Sequence, residues 1–222
     1  MDLYLLEPLI NVYLLGSFTI LFGHILDFTI DKENLIIYMQ KKTDLYIQGL
    51  RSLYMNLLFI SGFNYIIAYN YLLDIQSNNL QILKYSGILL THNIMYFGMH
   101  SMVHKINAIR FIHNFHHLFI QNIPSIGNAV SFLEFQIMYV LPFLYGMYLF
   151  QPNVTTINCS ILTISILNSI IHSSALEKIN WLPFLVSPKK HGNHHKNYTG
   201  NYAAPLIDID ALAFPSRTTR NT

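Results

Sequence analysis

The sequence predicts an all-α, polytopic helical membrane protein with four to five spans. Of its 222 residues, 52% are hydrophobic and only 11% are charged, and the mean hydropathy is +0.35. This composition is more apolar than that of an ordinary soluble domain. The apolar residues are gathered in runs, and most of the histidines lie beside the ends of those runs. These features together predict membrane helices with a histidine-rich cap.

Five apolar runs have spanning length or nearly so. They are residues 8–26, 53–73, 85–103, 132–150 and 154–171. A helix of about 19 residues rises roughly 29 Å, which is close to the roughly 30 Å of a bilayer's hydrocarbon core. Only "QPN" separates the last two runs, which predicts a tight helical hairpin. No basic segment precedes the first run, so we expect a retained span rather than a cleaved signal peptide.

The basic residues predict the orientation of these spans. If all five runs cross the membrane, every Lys and Arg except Lys84 falls on one side. Cytoplasmic loops carry an excess of Lys and Arg, so this side is predicted to face the cytoplasm and the N-terminus the lumen or exterior. The net charge of +2, with no basic cluster interleaved with aromatic residues, argues against a nucleic-acid partner.

Nine histidines are predicted to reach the cytoplasmic face from segments far apart in the sequence. They are His100, His104, His113, His116, His117, His172, His191, His194 and His195. "HSMVH" has the spacing i, i+4, and "HNFHH" and "HGNHH" have i, i+3, i+4, so on a helix each group points from one face. His104 and His113 are half a turn out of phase on a straight helix. We therefore expect a bend near residues 105–108, followed by a helix along the membrane surface.

The number of imidazoles predicts two metal ions. Nine nitrogens exceed what one ion can use, whereas two ions with four or five ligands each account for them, and imidazole suits iron, zinc, copper and nickel. The single cysteine, Cys159, excludes an intramolecular disulfide and a cysteine-based metal site. A carboxylate-bridged di-iron bundle is disfavoured because the chain has no Glu-x-x-His sequence.

Four sequence elements, taken in order, resemble the fatty acid hydroxylase/sterol desaturase superfamily of integral membrane di-metal oxygenases. They are HxxxH at 100–104, HxxHH at 113–117, NxxxH at 168–172 and HxxHH at 191–195. Flanking residues agree, namely "SFLEF" around Glu134, "NYA" at 201–203, and an acidic residue near the end, Asp208 or Asp210. Gly192 departs from the pattern, since many members have Asp there.

The resemblance runs from about residue 85 to residue 215 and implies oxygen chemistry at two irons, for which zinc can substitute during expression. Such enzymes use O2 to hydroxylate or desaturate a lipid, here with a sterol slightly favoured over a fatty acyl chain. Electrons are expected from NAD(P)H through a reductase and a b-type cytochrome. These donors are expected to be separate proteins, because the chain has neither a His-Pro-Gly-Gly nor a GxGxxG motif. In a eukaryotic cell we expect a membrane of the endoplasmic reticulum type.

The chain is predicted to contain N-terminal membrane spans, residues 1–84, and a catalytic region, residues 85–222, within one continuous domain. In that region, Glu134 and Asn168 are candidates for hydrogen bonds that support metal-bound histidines. The structural alternatives are a favourable helix N-terminus for Glu134 and a helix–helix contact for Asn168. Apart from the nine ligands, the sequence assigns no catalytic residue.

Other functions remain open at this point. A fatty acyl hydroxylase of the same family is one alternative, and a non-catalytic membrane protein that binds or transports metal is another. A transporter usually places ionisable ligands near the bilayer midplane, whereas these ligands lie at span ends. Simple interfacial hydrogen bonding is disfavoured by four spaced elements on one face. His24 and His92 each stand alone in the sequence, so we expect them to make structural hydrogen bonds.

The five-span arrangement predicts that tags placed after Thr222 and within residues 74–84 report opposite sides of the membrane. The basic residues generate this expectation, since they place the C-terminal tail in the cytoplasm and Lys84 outside. Protease protection or glycosylation mapping of the two tags measures it. Two cytoplasmic tags would show that the five-span arrangement is wrong.

Overall fold

The computed structural model describes residues 3–76 and 78–213, and helices are the regular secondary structure of this part of the chain. These residues form no strand, and one isolated antiparallel bridge joins Leu185 to Ile207. The predicted all-α class is therefore confirmed. Two of the basic residues used to predict the orientation, Arg217 and Arg220, lie outside the described residues.

The N-terminal half forms two long helical rods joined by a short helix. Its elements are α1 (Leu3–Thr29), α2 (Lys32–Lys41), α3 (Thr43–Tyr54), a π-helical segment (Met55–Ile60) and α4 (Ser61–Tyr71). The helix α3, the π-helical segment and α4 follow one another without a break. The apolar run 53–73 lies almost entirely in this second rod.

The C-terminal half adds three more long rods. Its elements are α5 (Gln81–Lys105), α6 (Phe132–Glu134), a π-helical segment (Phe135–Val140), α7 (Leu141–Phe150) and α8 (Val154–Ile171). A tight turn joins α7 to α8. In this turn Gln151 has a left-handed backbone with φ of 45°, and the Asn153 side chain caps α8 by accepting a hydrogen bond from the Thr156 amide at 2.9 Å. The predicted helical hairpin is present.

Three helical rods are long and apolar enough to cross a membrane within the described residues. They are Leu6–Thr29, Phe132–Phe150 and Val154–Ile171. The runs 53–73 and 85–103 are helical, but they do not meet the same criterion of length and apolarity. Polar side chains buried in α5, including His92 and Asn93, reduce its hydropathy. A count of four to five spans therefore stays a prediction.

Short helices and turns connect the rods at the end of the bundle where α5 and α8 finish. They are the 3-10 helices Asn107–Ile112, His116–Leu118, Pro124–Ile126 and Ser174–Lys178, and the α-helices α9 (Pro188–Asn197) and α10 (Ile209–Ala213). The helix α5 stops at Lys105, and Ile106 is extended with φ of −103° and ψ of 104°. The predicted bend near residues 105–108 is present. The predicted surface helix is wrong, because short 3-10 turns stand in its place.

Packing brings these connecting segments together over an apolar core. The helix α5 packs against α7 and α8, and α1 packs against α4, α8 and the turn at Pro124–Ile126. The core beneath the connecting segments includes Tyr96, Val103, Met138, Ile171 and Val186. This core fixes the ends of α5, α6 and α8 relative to one another.

Candidate metal centre

The nine predicted histidines meet in two buried groups at this end of the bundle. The first group has five members, His100, His104, His113, His117 and His194. The second group has four members, His116, His172, His191 and His195. Within each group, one ring nitrogen of every member lies within 4.8 Å of the corresponding nitrogens of the others.

The two remaining histidines lie apart from these groups. The Nδ1 atom of His24 is 2.8 Å from the carbonyl oxygen of Ile20, one turn earlier in α1. His92 is buried in α5, with its ring 4.5 Å from the ring of Phe143. His24 thus makes the structural hydrogen bond expected of it, whereas His92 makes a packing contact instead.

The histidine triplets are divided between the two groups. Of the triplet at 113–117, His113 and His117 belong to the five-histidine group and His116 to the four-histidine group. Of the triplet on α9, His194 belongs to the former and the other two to the latter. On the α-helix α9 the spacing i, i+3, i+4 does place the three histidines on one face, but both triplets contribute to both groups. The 3-10 turns around residues 107–118 let neighbouring side chains point to different groups, and α9 lies between the groups.

In the five-histidine group, hydrogen bonds fix the outer ring nitrogens of several histidines. His100 Nδ1 lies 2.7 Å from the carbonyl oxygen of Tyr202, and His194 Nδ1 lies 2.8 Å from that of Gly200. A carbonyl oxygen only accepts, so each Nδ1 carries the proton and each Nε2 keeps a lone pair. Another outer nitrogen, His113 Nδ1, donates to Glu134 Oε1 at 2.5 Å.

The inner ring nitrogens then face one another as acceptors. The Nε2 atoms of His100 and His113 are 2.9 Å apart, although the partners of their Nδ1 atoms leave a lone pair on both. Two lone pairs at this distance repel unless a proton or a cation lies between them. In the four-histidine group, His172 Nδ1 donates to the Asn168 carbonyl oxygen at 2.7 Å, so its Nε2 keeps a lone pair. This Nε2 lies 2.8 Å from His191 Nε2 and 3.4 Å from His116 Nε2.

Burial keeps these imidazoles neutral. All nine histidines are buried. Burial lowers the pKa of His116 to about 4 and the pKa of His194 to about 3, because the charged form loses its hydration. A neutral imidazole is the form that binds a metal ion. The two groups therefore suit divalent cations, and all-nitrogen sets of four and five ligands are within the usual range for iron or zinc.

Glu134 supports the same conclusion by its charge. Its side chain is fully buried, and its contact is with His113. Ser131 caps the start of α6 and accepts from the Glu134 amide at 3.2 Å, which fixes the position of the carboxylate. A buried carboxyl group stays ionised only beside a compensating positive charge and otherwise takes up a proton, and a cation bound by His113 would supply that charge. Glu134 thus makes the contact expected of a residue that supports a metal ligand.

Asn168 contacts the four-histidine group through its backbone. Its carbonyl oxygen accepts from His172, and its side-chain Nδ2 donates to Asn128 Oδ1 at 2.6 Å. The side chain therefore makes an inter-segment hydrogen bond, and support of His172 comes from the main chain. Sequence reasoning did not identify Asn128, because it lies in a loop with no ligand spacing. Tyr202, whose carbonyl oxygen accepts from His100, was indicated in the sequence only by the "NYA" stretch.

An apolar cavity of about 100 Å³ lies between α1, α4, α8 and the rod formed by α6 and α7. It reaches from Asn128 and Tyr139, at the histidine end, to Ala68 and Met147 at the other end. Along the rod its lining extends from Phe135 to Met147, which is about three helical turns. The cavity is therefore narrow and elongated along the helices.

Aromatic and amide side chains separate this cavity from the histidines. The Tyr139 ring packs against Tyr96 at 5.7 Å, and Tyr96 packs against His100 at 5.2 Å. On the other side, Asn128 bonds Asn168, whose carbonyl oxygen holds His172. The end of the cavity thus lies one side chain away from both groups.

A family model described as fatty acid hydroxylase matches residues 86–213, more than half of the chain. The matched segment contains all nine grouped histidines together with Glu134 and Asn168. The comparisons found no curated protein and no solved structure that matches the chain. The family match and the three apolar helices indicate a membrane protein.

Lowering the pH is expected to destabilise the folded protein. An imidazole in an unfolded chain has a pKa of about 6.5, whereas the pKa is about 4 for His116 and about 3 for His194. Below about pH 6.5 the unfolded chain binds protons that the native chain does not, so stability present above that pH is lost as the pH falls toward 4. The loss approaches about 1.4 kcal/mol per histidine per pH unit.

Thermal unfolding of the detergent-solubilised protein at several values between about pH 7.5 and about pH 4.5 measures this effect. Bound metal also makes the protein less stable as the pH falls, because protons compete with the metal for the imidazoles. An unfolding temperature that stays constant or rises as the pH falls through this window would contradict the burial of neutral imidazoles.

Replacing Glu134 by Gln is expected to weaken metal binding by about 10- to 100-fold, the usual cost of removing a partner of a metal ligand. The amide keeps an acceptor for His113 but removes the negative charge. Metal retained per chain across a graded chelator series measures the change. Glu33→Gln, at an exposed position on α2, is the matched control. Equal retention in Glu134→Gln and Glu33→Gln would show that the buried charge has no such role.

Proposed function

The chain belongs to the fatty acid hydroxylase family, part of the fatty acid hydroxylase/sterol desaturase superfamily, and on this premise we propose that it is a membrane-bound di-iron oxidoreductase that uses O2 to hydroxylate or desaturate a lipid. The observation that carries the proposal is the pair of buried imidazole groups, in each of which one ring nitrogen of every histidine lies within 4.8 Å of those of the other members. Two cations of the same kind, one in each group, would be bound by these nitrogens.

The reaction needs an external source of electrons. Hydroxylation of a C–H bond by O2 consumes two electrons and two protons, and gives one alcohol and one water. Two irons, when bound, would supply the redox chemistry that activates O2, whereas zinc in the same sites would be inert because it has no redox chemistry. We propose that NAD(P)H provides the electrons through a reductase and a b-type cytochrome, which would approach the end of the bundle where the histidines lie.

The chain's own residues would position the metals and keep water out. The carbonyl oxygens of Tyr202, Gly200 and Asn168 hold the Nδ1 atoms of three histidines, so that each Nε2 points inward. Glu134 does the same for His113 and adds a negative charge. Ligands that are already oriented lose little freedom when a metal binds. The burial of all nine rings limits access of bulk water to the site.

The apolar cavity is the proposed entry for the lipid. Its position between α1, α4, α7 and α8 places it among helices that are expected to lie in the bilayer, and it ends near both histidine groups. The sequence elements slightly favour a sterol. The narrow, elongated shape of the cavity favours a second candidate, an extended fatty acyl chain, which is thinner than a fused sterol ring system.

The non-catalytic alternative predicts different chemistry. A metal carrier or metal-binding protein would need the histidines but no electron donor and no lipid cavity. The ligands lie where α5 and α8 end rather than in the middle of the rods, which is unlike a transport pathway at the bilayer midplane.

We further propose that the histidine end faces the cytoplasm and that in a eukaryotic cell the membrane is of the endoplasmic reticulum type.

Expression of the wild-type chain in a heterologous host is expected to produce a hydroxylated or desaturated lipid, and His117→Ala is expected to abolish it. His117 Nε2 is 3.1 Å from His104 Nε2 in the five-histidine group, so its removal leaves that site one ligand short. Lipid mass spectrometry, with one culture fed sterols and another fed fatty acids, measures the product and its class.

The matched control is His24→Ala, since His24 lies outside both groups and its loss is expected to leave most of the product. An oxidised lipid that appears equally with wild type and His117→Ala would refute the catalytic assignment. An oxidised acyl chain without any sterol product would favour the fatty acyl substrate suggested by the cavity over the sterol suggested by the sequence elements.

A further inference from the structure

Two buried aspartates lie near the C-terminal end of α1, outside the segment that the family model matches. Asp27 is 0% exposed and Asp31 is 1% exposed, and both precede residue 86, where the match begins. Buried carboxylates are costly unless they are hydrogen-bonded. The hydrogen-bond partners of the two aspartates therefore indicate which segments these residues hold in place.

Asp31 bonds the segment that leaves His172. One carboxylate oxygen accepts from the Ala175 amide at 2.9 Å and from Asn34 Nδ2 at 3.2 Å. The other accepts from the Ser173 hydroxyl. Ser173 follows His172 directly, and His172 is the residue at which α8 ends. The helix no longer fixes the backbone beyond this point, so Asp31 holds it.

Asp27 bonds the loop that covers His172. Its Oδ1 atom accepts from the Ser125 amide at 3.0 Å. Two residues further on, Gly127 packs so closely on the imidazole that an added Cβ would lie 2.6 Å from Cβ and Cγ of His172. On the helix side, Gly23 approaches the loop backbone, and a Cβ there would lie 2.9 Å from Ser125 Cα. The end of α1 thus supports this loop directly.

The two supported segments also bond one another. Both the amide and the hydroxyl of Ser174 donate to the Asn122 carbonyl oxygen, at 3.3 Å and 2.6 Å. The covering loop continues to Ala129, whose carbonyl oxygen lies 3.4 Å from His116 Nδ1. The contacts of the two aspartates therefore lead to His172 and His116, which are both members of the four-histidine group.

We propose that Asp31, assisted by Asp27, is a positioning residue for the four-histidine metal site and makes its metal affinity depend on the N-terminal span. The inference rests on the proposed function, because it assumes that this group holds a metal ion. Asp31 does not touch the metal or a substrate. It fixes the backbone on one side of His172, while Asp27 fixes the loop against the other side, and together they place Nε2 toward His191 and His116.

The test uses the full-length protein in detergent, loaded with cobalt(II), and compares wild type with Asp31→Ala, Asp31→Asn and His172→Ala. Cobalt(II) absorbs differently in four-coordinate and five-coordinate sites, so each site has its own signature. Asp44→Ala, at an exposed position on α3, is the matched control. Cobalt per chain is measured across a graded chelator series, and circular dichroism monitors folding.

Asp31→Ala is expected to lose the same cobalt signature as His172→Ala and to retain about one ion per chain where wild type retains two. The loss of affinity at that site is expected to be about 10-fold, at the lower end of the range for residues that support metal ligands. Asp31→Asn, which keeps one acceptor oxygen, is expected to show a smaller loss. Asp44→Ala is expected to match wild type.

The proposal is overturned if folded Asp31→Ala binds two cobalt ions as tightly as wild type does, or if it weakens both sites equally, as a general loss of stability would. If Asp31→Ala does not fold, the same two criteria are applied to Asp31→Asn. A wild-type protein that binds no cobalt would instead refute the proposed function, and the positioning role with it.

Discussion

Nine buried imidazoles gathered in two groups are the constraint on which this structure depends. Neutral imidazoles facing one another at about 3 Å, as His100 and His113 do, repel when both inner nitrogens are acceptors. Hydrogen bonds from the outer Nδ1 atoms to carbonyl oxygens and to Glu134 hold the rings in this arrangement. Cations in the two groups would be bound by the clustered nitrogens and would remove the repulsion between His100 and His113, and we expect much of the stability of this region to come from them.

This constraint explains why the bundle is built as it is. The ligands come from the end of α5, the turns after it, the end of α8, and α9, so each of these elements has to finish at one place. The N-terminal rods contribute no ligand. They line the cavity together with α7 and α8, and through Asp27 and Asp31 they hold the segments around His172. The part of the chain outside the family match therefore still acts on the site.

Spacing alone identified all nine histidines that the structure brings together, because periodic ligands in four segments are a local feature of the sequence. The break after Lys105 followed from the phase difference between His104 and His113. The division of each HxxHH between two groups did not follow, because it depends on the 3-10 turns around residues 107–118 and on the position of α9 between the groups, which no local pattern marks. Asp31 and Asn128 were missed since their partners lie far away in the sequence, and long-range contacts of single polar residues leave no periodic signal.

The most direct test of the central claim is elemental analysis of the purified, folded wild-type protein, combined with X-ray absorption at the edge of the metal found. We predict two ions per chain, natively iron or zinc taken up in its place, with a first coordination sphere dominated by imidazole nitrogen and without sulfur. A folded protein that contains no metal, or a metal bound through sulfur, would contradict the assignment of the two histidine groups as metal sites.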